Sequence, residues 1–391
     1  MPFTDAERCE IHAGCKRFFG MLPARPVAER LRKMAESEYA QQNSDFYGSG
    51  AAVALLEAEI AEMMGKEAAV FMPSGTMAQQ IALRIWCDRA GNSNVAFHPT
   101  SHLELHEQDA YRELHHLSAS LVGGNDRLFT LQDLETLTHP PAALLIELPQ
   151  REIGGQLPTW GELTAFKAWA NERNVKLHVD GARLWECGPY YARPYSEIAS
   201  VFDSVYVSFY KVLGGLPGAM LAGPADFITE AKVWQRRHGG NLYSLAPNAI
   251  AAKIGLNEQL PRIPDYCRKA AEVAAALKTL PGLTIVPEYP PTNLMHLYFE
   301  GDLEAIENAL WEVARETGVF LLARVPPTAK ANVGKVEQTI MAQALDIETS
   351  EIRDLMARVL ERAGGGAPRQ TPEAGGRSSR AGSGSPRHRP T

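Results

Sequence analysis

Short apolar runs alternate with amphipathic stretches through the first two thirds of the chain. The runs predict β-strands because they are bounded by glycine, proline or polar residues; they lie at residues 68–72, 94–97, 143–148, 175–179, 204–208 and 219–222. Helical stretches separate most of them, such as residues 51–64 and 159–173. Strands that alternate with helices predict an α/β fold with a mostly parallel sheet covered on both faces.

A different pattern follows residue 250. A long helical region leads into strand-like runs and two further helices, at about 247–280, 283–286, 294–299, 303–317, 319–322 and 348–363. This order predicts a smaller α+β domain. We therefore expect four parts: an N-terminal arm (1–45), a large domain (46–250), a small C-terminal domain (251–363) and a disordered tail (364–391), which has no large apolar side chain.

Composition narrows the class of protein. The chain has 391 residues, 45% hydrophobic and 22% charged, which is enough for two domains with large cores. Its net charge of −7 argues against nucleic acid or an anionic membrane as a partner. No apolar run approaches the ~20 residues of a membrane span, and an acidic N-terminus is not typical of a signal peptide. The five cysteines are scattered, which predicts reduced thiols and a cytoplasmic location.

Asp180 and Lys211 carry the most informative chemistry. Asp180 ends the apolar run at 175–179, and Lys211 follows the next run, 31 positions later. A lysine amine can form a Schiff base with the aldehyde of pyridoxal phosphate (PLP). A carboxylate can keep the pyridine nitrogen of that cofactor protonated, so that the ring accepts electrons. The pair predicts a PLP enzyme; the alternative for Asp180 is a helix cap for the segment from Gly181.

Two other segments are candidates for the cofactor phosphate. Ser74, Gly75 and Thr76 lie between a predicted strand and a predicted helix, where backbone N–H groups and small hydroxyls form an anion site. The alternative is a turn with a serine or threonine helix cap. Residues 239–241 are glycine-rich and form either a turn with close backbone approach or a place where a partner subunit meets the phosphate.

Arg183 is the candidate for binding the substrate carboxylate. It follows Asp180 by three positions and faces the same site if Gly181 begins a turn. Its planar guanidinium matches a carboxylate with two parallel hydrogen bonds. A structural ion pair is the alternative interpretation.

Three histidines, His98, His102 and His106, have the spacing of a metal-binding helix face. Pro99 disfavours a helix through His98, so we expect no metal. One histidine is instead expected over the cofactor ring, where a ring nitrogen takes part in proton transfer. His102 is the best candidate, with Glu107 as a residue that orients a neighbour.

At these positions the chain resembles the low-specificity L-threonine aldolases, within the β-eliminating-lyase group of fold-type I PLP enzymes. The matching stretches keep the family's order between about residues 45 and 250: 47–48, 56–59, 65–69, 73–78, 101–102, 147–149, 154–155, 178–185 and 208–218. The Asp-Gly-Ala-Arg element at 180–183 is quite specific to this group.

The resemblance implies a fold and a set of roles. It implies a seven-stranded sheet, a homodimer or homotetramer, Lys211 as the Schiff-base lysine, His102 stacked on the cofactor ring, and Gly75 and Thr76 at the phosphate. The implied reaction is retro-aldol cleavage of a threonine-like β-hydroxy-α-amino acid to glycine and an aldehyde. A β-eliminating lyase or an aminotransferase on another amino acid is the alternative, and a PLP-binding protein without turnover is a third.

The chain differs from the family pattern in the segments that bind the substrate. The family usually opens with Arg-Ser-Asp-Thr, whereas residues 22–26 read Leu-Pro-Ala-Arg-Pro. It also has an arginine a few residues before a Leu-Asp pair, but no arginine directly precedes Leu345–Asp346. Arg324 is the nearest substitute and is therefore the second predicted substrate-binding residue.

Overall fold

The computed structural model describes residues 2–23 and 26–364. The helices are α1 (Asp5–Gly14), α2 (Val27–Ala35), α3 (Ala51–Met63), α4 (Gly75–Ala90), α5 (His102–Leu105), α6 (Ala110–His115), α7 (Leu131–Glu135), α8 (Trp160–Glu172), α9 (Gly188–Tyr191), α10 (Tyr195–Ser200), α11 (Ala225–Arg237), α12 (Ala246–Gln259), α13 (Ile263–Leu277), α14 (Leu303–Thr317) and α15 (Thr349–Arg362). Apart from Gly364, the tail predicted to be disordered (364–391) lies outside the described residues.

Twelve strands occur in the described part of the chain and form three sheets. They are β1 (Arg17–Phe18), β2 (Ala68–Met72), β3 (Asn94–Phe97), β4 (Ser118–Leu121), β5 (Ala143–Glu147), β6 (Lys176–Gly181), β7 (Ser204–Ser208), β8 (Ala219–Gly223), β9 (Leu283–Val286), β10 (Leu294–Glu300), β11 (Val319–Phe320) and β12 (Val333–Thr339). The central sheet has seven strands in the order β2-β8-β7-β6-β5-β3-β4. Only β8 runs antiparallel to its neighbours there, which confirms the predicted mostly parallel sheet.

Both faces of the central sheet are buried, which explains why its strands read as continuous apolar runs. Leu177 and Val179 of β6 join one hydrophobic cluster, which includes residues of α3, α8 and α12. Leu145 of β5 and Tyr206 of β7 join a second cluster with residues of α4 and α11 on the opposite face. Because β5, β6 and β7 run parallel, their carboxyl ends lie at the same edge of the sheet. Ligands of open α/β sheets bind at this edge.

A smaller antiparallel sheet lies in the C-terminal part, in the order β12-β10-β9. Helices α13, α14 and α15 contribute apolar residues to the same cluster as the strands. Part of the predicted N-terminal arm joins this region, because β1 pairs in parallel with β11 and the Gln338 side chain donates to the carbonyl oxygen of Phe19 at 2.9 Å. The domain boundaries at 45, 250 and 363 stay a prediction.

Three strands, β1, β4 and β12, were not predicted from the sequence; β1 has only two residues and lies in the segment expected to be the N-terminal arm. Ser118–Leu121 is short and rich in small polar residues, and Val333–Thr339 mixes glycine, charged and apolar residues without a clear period. The predicted helix at 247–280 is instead two helices, α12 and α13, joined by a 3₁₀ turn at Leu260–Arg262 that contains Pro261. Within the described residues, no helix combines the length and apolarity needed to cross a membrane.

Candidate active site

A cleft lies at the carboxyl ends of β5 and β6, beside the turn that follows β7. Most of its lining is ionisable: His102, Glu147, Arg151, Asp180, Arg183 and Lys211. Four of these residues were predicted as site residues from the sequence. The topology thus brings together side chains that are up to about a hundred residues apart in the chain.

Asp180 and Lys211 form the centre of the cleft. Asp180 is buried at the end of β6, and its Oδ1 accepts a hydrogen bond from the backbone N–H of Ala182 at 3.0 Å. Burial raises the pKa of Asp180, although the Lys211 charge opposes the rise. Burial and then the Arg183 charge lower the pKa of Lys211. A lowered pKa increases the fraction of neutral amine, which is the form that attacks an aldehyde.

His102 is held by an acid behind it. Its Nδ1 lies 2.9 Å from Glu107 Oε1, and the buried Gln80 amide donates to Glu107 Oε2 at 2.6 Å. The hydrogen bond to Glu107 is the main cause that raises the pKa of His102. Glu107 therefore orients a neighbouring side chain, as expected, and leaves Nε2 of His102 available for proton transfer.

The other two histidines of the triplet have separate partners. The His98 ring contacts the carbonyl oxygen of Arg127 at 2.8 Å, and His106 contacts Glu152 at 2.8 Å. In the part of the chain that the structure describes, no group of three or more histidine, cysteine or acidic residues has a metal-binding arrangement.

The amino end of α4 shows how the segment at 74–76 folds. The Ser74 hydroxyl accepts from the Met77 N–H at 3.3 Å, so Ser74 is the helix cap of the alternative interpretation. A side chain at position 75 would collide with the Tyr206 hydroxyl, so glycine allows α4 to approach β7 closely. The first N–H groups of a helix have no partner within it, and Thr76 is exposed beside them. Gly240 packs closely on the side chain of Met77, and not on a neighbouring backbone segment.

Arg183 is largely buried and already has acidic partners. Its two terminal nitrogens donate to Glu186 and Glu337, each at 3.3 Å. Glu337 also accepts from Arg151 Nε at 2.7 Å. The ion pair foreseen as the alternative role of Arg183 is therefore present, while its Nε has no hydrogen-bond partner among the described residues.

Sequence reasoning missed Glu147 as a site residue. It ends β5 directly opposite Asp180 of β6, a position that the strand pattern would have revealed. Its carboxylate accepts from the backbone N–H groups of His102 and Arg151, both at 3.2 Å. Burial, and then the Asp180 charge, raise the pKa of Glu147 to about 7. Glu147 thus ties the first turn of α5, which carries His102, to the turn after β5, which carries Arg151.

The sequence analysis also missed Arg151, Glu186 and Glu337. Arg151 and Glu337 pair across two sheets, which leaves no local pattern in the sequence, whereas Glu186 lies three residues after Arg183 and its ion pair could have been predicted from that spacing. Arg324 is exposed in the loop after β11 and does not line the cleft. The structure therefore brings Arg151 and Arg183, but not Arg324, to the cleft.

The chemistry of these side chains fits PLP. Lys211 supplies a partly desolvated amine, and Asp180 supplies a buried carboxylate near it. The amino end of α4 supplies N–H groups for a phosphate. His102 supplies a flat ring at the same cleft. Each part of the cofactor has a matching group in the chain.

Comparison with known proteins agrees with this geometry. Residues 24–299 match the family model for β-eliminating lyases. The chain is 27% identical over 293 residues to low-specificity L-threonine aldolase 1 of Arabidopsis thaliana, covering 72% of this chain and 82% of that protein.

Solved structures are also similar over nearly the whole chain. A protein of Listeria monocytogenes EGD-E assigned as an L-allo-threonine aldolase is 40% identical, with a TM-score of 0.86 and coverage of 92% of this chain and 99% of that one. An Exiguobacterium protein assigned as an aromatic amino acid β-eliminating lyase/threonine aldolase is 39% identical, with a TM-score of 0.85 and coverage of 91% and 99%. These similarities confirm the predicted fold-type I architecture. The chain therefore belongs to the β-eliminating lyase family, and it is a PLP-dependent lyase.

Proposed function

We propose that the protein cleaves the Cα–Cβ bond of a threonine-like β-hydroxy-α-amino acid and releases glycine and an aldehyde. The observation that carries this proposal is the meeting of Lys211, Asp180, His102 and Arg183 at one cleft. The names of the relatives, which are threonine or allo-threonine aldolases, support the same reaction.

Four parts of the chain would hold the cofactor. Lys211 would bind its aldehyde, Asp180 its pyridine nitrogen, Ser74–Thr76 its phosphate, and His102 one face of its ring. When bound, PLP supplies a ring that accepts the electron pair of the broken bond. A buried Asp180 carboxylate stabilises positive charge on the ring nitrogen more strongly than a solvated carboxylate would.

His102 is the proposed base for the β-hydroxyl group. Glu107 bonds to Nδ1, so the proton on that nitrogen is fixed and Nε2 can take the hydroxyl proton, directly or through a water molecule. Glu107 also stabilises the positive ring that forms, in the way that a carboxylate supports a catalytic histidine.

Arg183 is the proposed group for the substrate carboxylate. Glu186 and Glu337 fix the guanidinium from two sides, and the unpartnered Nε–H remains for an incoming oxygen. Because a buried donor without a partner costs about 1–3 kcal/mol, a substrate carboxylate that accepts from it gains affinity.

The test is product analysis with L-threonine and L-allo-threonine. The PLP-loaded protein should release glycine and acetaldehyde in equal amounts from at least one of them. Release of ammonia and a 2-oxo acid would instead identify an eliminating lyase, and formation of an amino acid from an added 2-oxo acid would identify an aminotransferase. These two alternatives are considered because the chain differs from the family pattern in the segments that bind the substrate, at residues 22–26 and before Leu345.

We also propose that the protein is a cytoplasmic homodimer or homotetramer. Phe46, Tyr47 and Tyr243 are exposed and pack edge to face at 5.5 Å, which gives an apolar surface for a second copy. All five cysteines are free, in agreement with a reducing compartment. Light scattering after gel filtration tests the assembly, and a monomer would contradict it. Cell fractionation tests the location.

A further inference from the structure

Two arginines at the cleft share one carboxylate from the small sheet. Arg151 follows β5 and Arg183 follows β6, whereas Glu337 lies on β12. One oxygen of Glu337 lies 2.7 Å from Arg151 Nε, and the other lies 3.3 Å from a terminal nitrogen of Arg183. Burial alone would raise the pKa of Glu337, but the neighbouring His296 and the two arginine charges lower it to about 2. Glu337 is therefore ionised and occupies the place where the two guanidinium groups converge.

Each of the two arginines also contacts a second acidic side chain. Arg183 has Glu186 as its second acid, at 3.3 Å. Arg151 and Lys335 both contact Glu152, at 3.1 and 3.4 Å. The side chains of Arg183 and Glu186 are 14% and 0% exposed, so salt screens their charges much less than charges at the surface. The buried Nε–H of Arg183 has no hydrogen-bond partner among the described residues, so it is a donor that remains for one substrate carboxylate.

We propose that Glu337 is a specificity determinant that excludes amino acids with a second carboxylate. The proposal rests on the proposed function, in which Arg183 binds the α-carboxylate of an amino acid. Glu337 keeps Arg151 neutralised, so a negatively charged substrate side chain finds this arginine already paired and is repelled by the charges of Glu337 and Glu152. Amino acids with an uncharged side chain, such as threonine, do not have this repulsion.

Binding of a matched pair of ligands tests this role. L-asparagine and L-aspartate have nearly the same size but differ by one negative charge. Each is titrated into the PLP-loaded protein while the absorption of the cofactor is recorded, and the ratio of the two dissociation constants is taken. We expect the wild type to bind asparagine at least about tenfold more tightly than aspartate, because a like charge a few ångströms away in a partly buried site is repelled this strongly.

Replacement of the charge should shift that ratio. Glu337→Gln keeps the size of the side chain and frees Arg151, so the preference for asparagine should fall by about tenfold or more. Any general damage to the site affects both ligands and cancels in the ratio. Glu300→Gln is the matched control, because Glu300 lies on β10 of the same small sheet with its side chain 57% exposed, and the ratio should stay at the wild-type value.

Two results would overturn the proposal. One is a wild type that binds aspartate as tightly as asparagine, and the other is a Glu337→Gln variant with an unchanged ratio, including one that weakens both ligands equally. If Glu337→Gln does not fold, Glu337→Ser and the wild-type ratio itself make the same test. Failure to release glycine from L-threonine would contradict the proposed reaction alone, because the charge preference is measured with ligands that have no β-hydroxyl group.

Discussion

The two sides of the cleft are built in different ways. The cofactor side consists of His102, Asp180 and Lys211, with the amino end of α4 at Ser74–Thr76 as the proposed phosphate site. Most of it follows from strands of one sheet that end at the same edge. The carboxylate side consists of Arg151, Arg183, Glu186 and Glu337. It joins the central sheet to the small sheet through ion pairs between residues as far as 154 positions apart. The positions of the cofactor-side residues follow from the order of the strands in one sheet. The positions of the carboxylate-side residues depend on ion pairs between the central sheet and the small sheet.

The largest expected effect comes from the cofactor side, at Lys211. Lys211→Ala removes the amine proposed to bond to the cofactor, and we expect turnover of L-threonine to fall by about 10³-fold or more. Glycine release and the absorption of the purified protein measure the change. Lys330→Ala is the control, because that lysine is 75% exposed on the small-domain surface. A Lys211→Ala variant with near-wild-type steady-state turnover would exclude this residue from the chemistry.

Asp180→Asn should have the next largest effect, and it should fall on kcat. The amide has the same shape but no charge to stabilise a protonated cofactor nitrogen, so we expect kcat to drop by about 10²- to 10³-fold. KM should change much less, because Asp180 is not on the carboxylate side. Asp226→Asn, at a position 71% exposed, should leave both constants unchanged. A loss confined to KM would contradict the division of the cleft into two sides.

The sequence predicted the framework well where burial imposes a pattern. The runs at 68–72, 94–97 and 204–208 have the bounds of β2, β3 and β7, because apolar residues must fill the positions inside a sheet that is covered by helices. β12 has no such constraint on its exposed edge, so Val333–Thr339 shows no period. The strand that carries Glu337 was therefore not predicted.

The site residues that could be predicted from the sequence also differ from those that could not in whether they follow a buried apolar strand. Asp180 was found because an acid at the end of an apolar strand has few other reasons to be there. Glu337 has no such context, because its position beside Arg183 depends on how two sheets pack. Arg324 was predicted from a resemblance in sequence position, but the chain places it in an exposed loop.

Arg183 and Arg324 together give a sharper test of the carboxylate side. Arg183→Lys keeps the charge but loses the fork of donors, so we expect KM for L-threonine to rise by about tenfold or more with a smaller change in kcat. Arg324→Gln should change KM by no more than about twofold, as surface substitutions usually do. Initial rates over a range of threonine concentrations measure both. If Arg324→Gln raised KM as much as Arg183→Lys, the small domain would have to move Arg324 into the cleft.

The smallest effect, a shift in pH dependence, concerns Glu107 behind His102. The Glu107 carboxylate raises the pKa of His102, and a base must be neutral to accept a proton, so activity falls as the pH decreases through this raised pKa. Glu107→Gln removes the charge, so the pKa of His102 falls and the acidic limb of kcat/KM should move to lower pH. The maximal rate should decrease by less than about tenfold, because a glutamine can still bond to Nδ1.

The profile of kcat/KM from about pH 5 to pH 9, the range in which histidines titrate, measures this shift. Glu113→Gln, on the exposed face of α6, is the control and should leave the limb in place. A limb that stays in place or moves to higher pH in Glu107→Gln would show that His102 is not the group that titrates. A shift to lower pH with a nearly normal maximal rate would separate the charge of Glu107 from its positioning of the ring. The cofactor side would then depend on a carboxylate–histidine hydrogen bond, but on one formed five residues apart in the chain, which is why the sequence alone could indicate it.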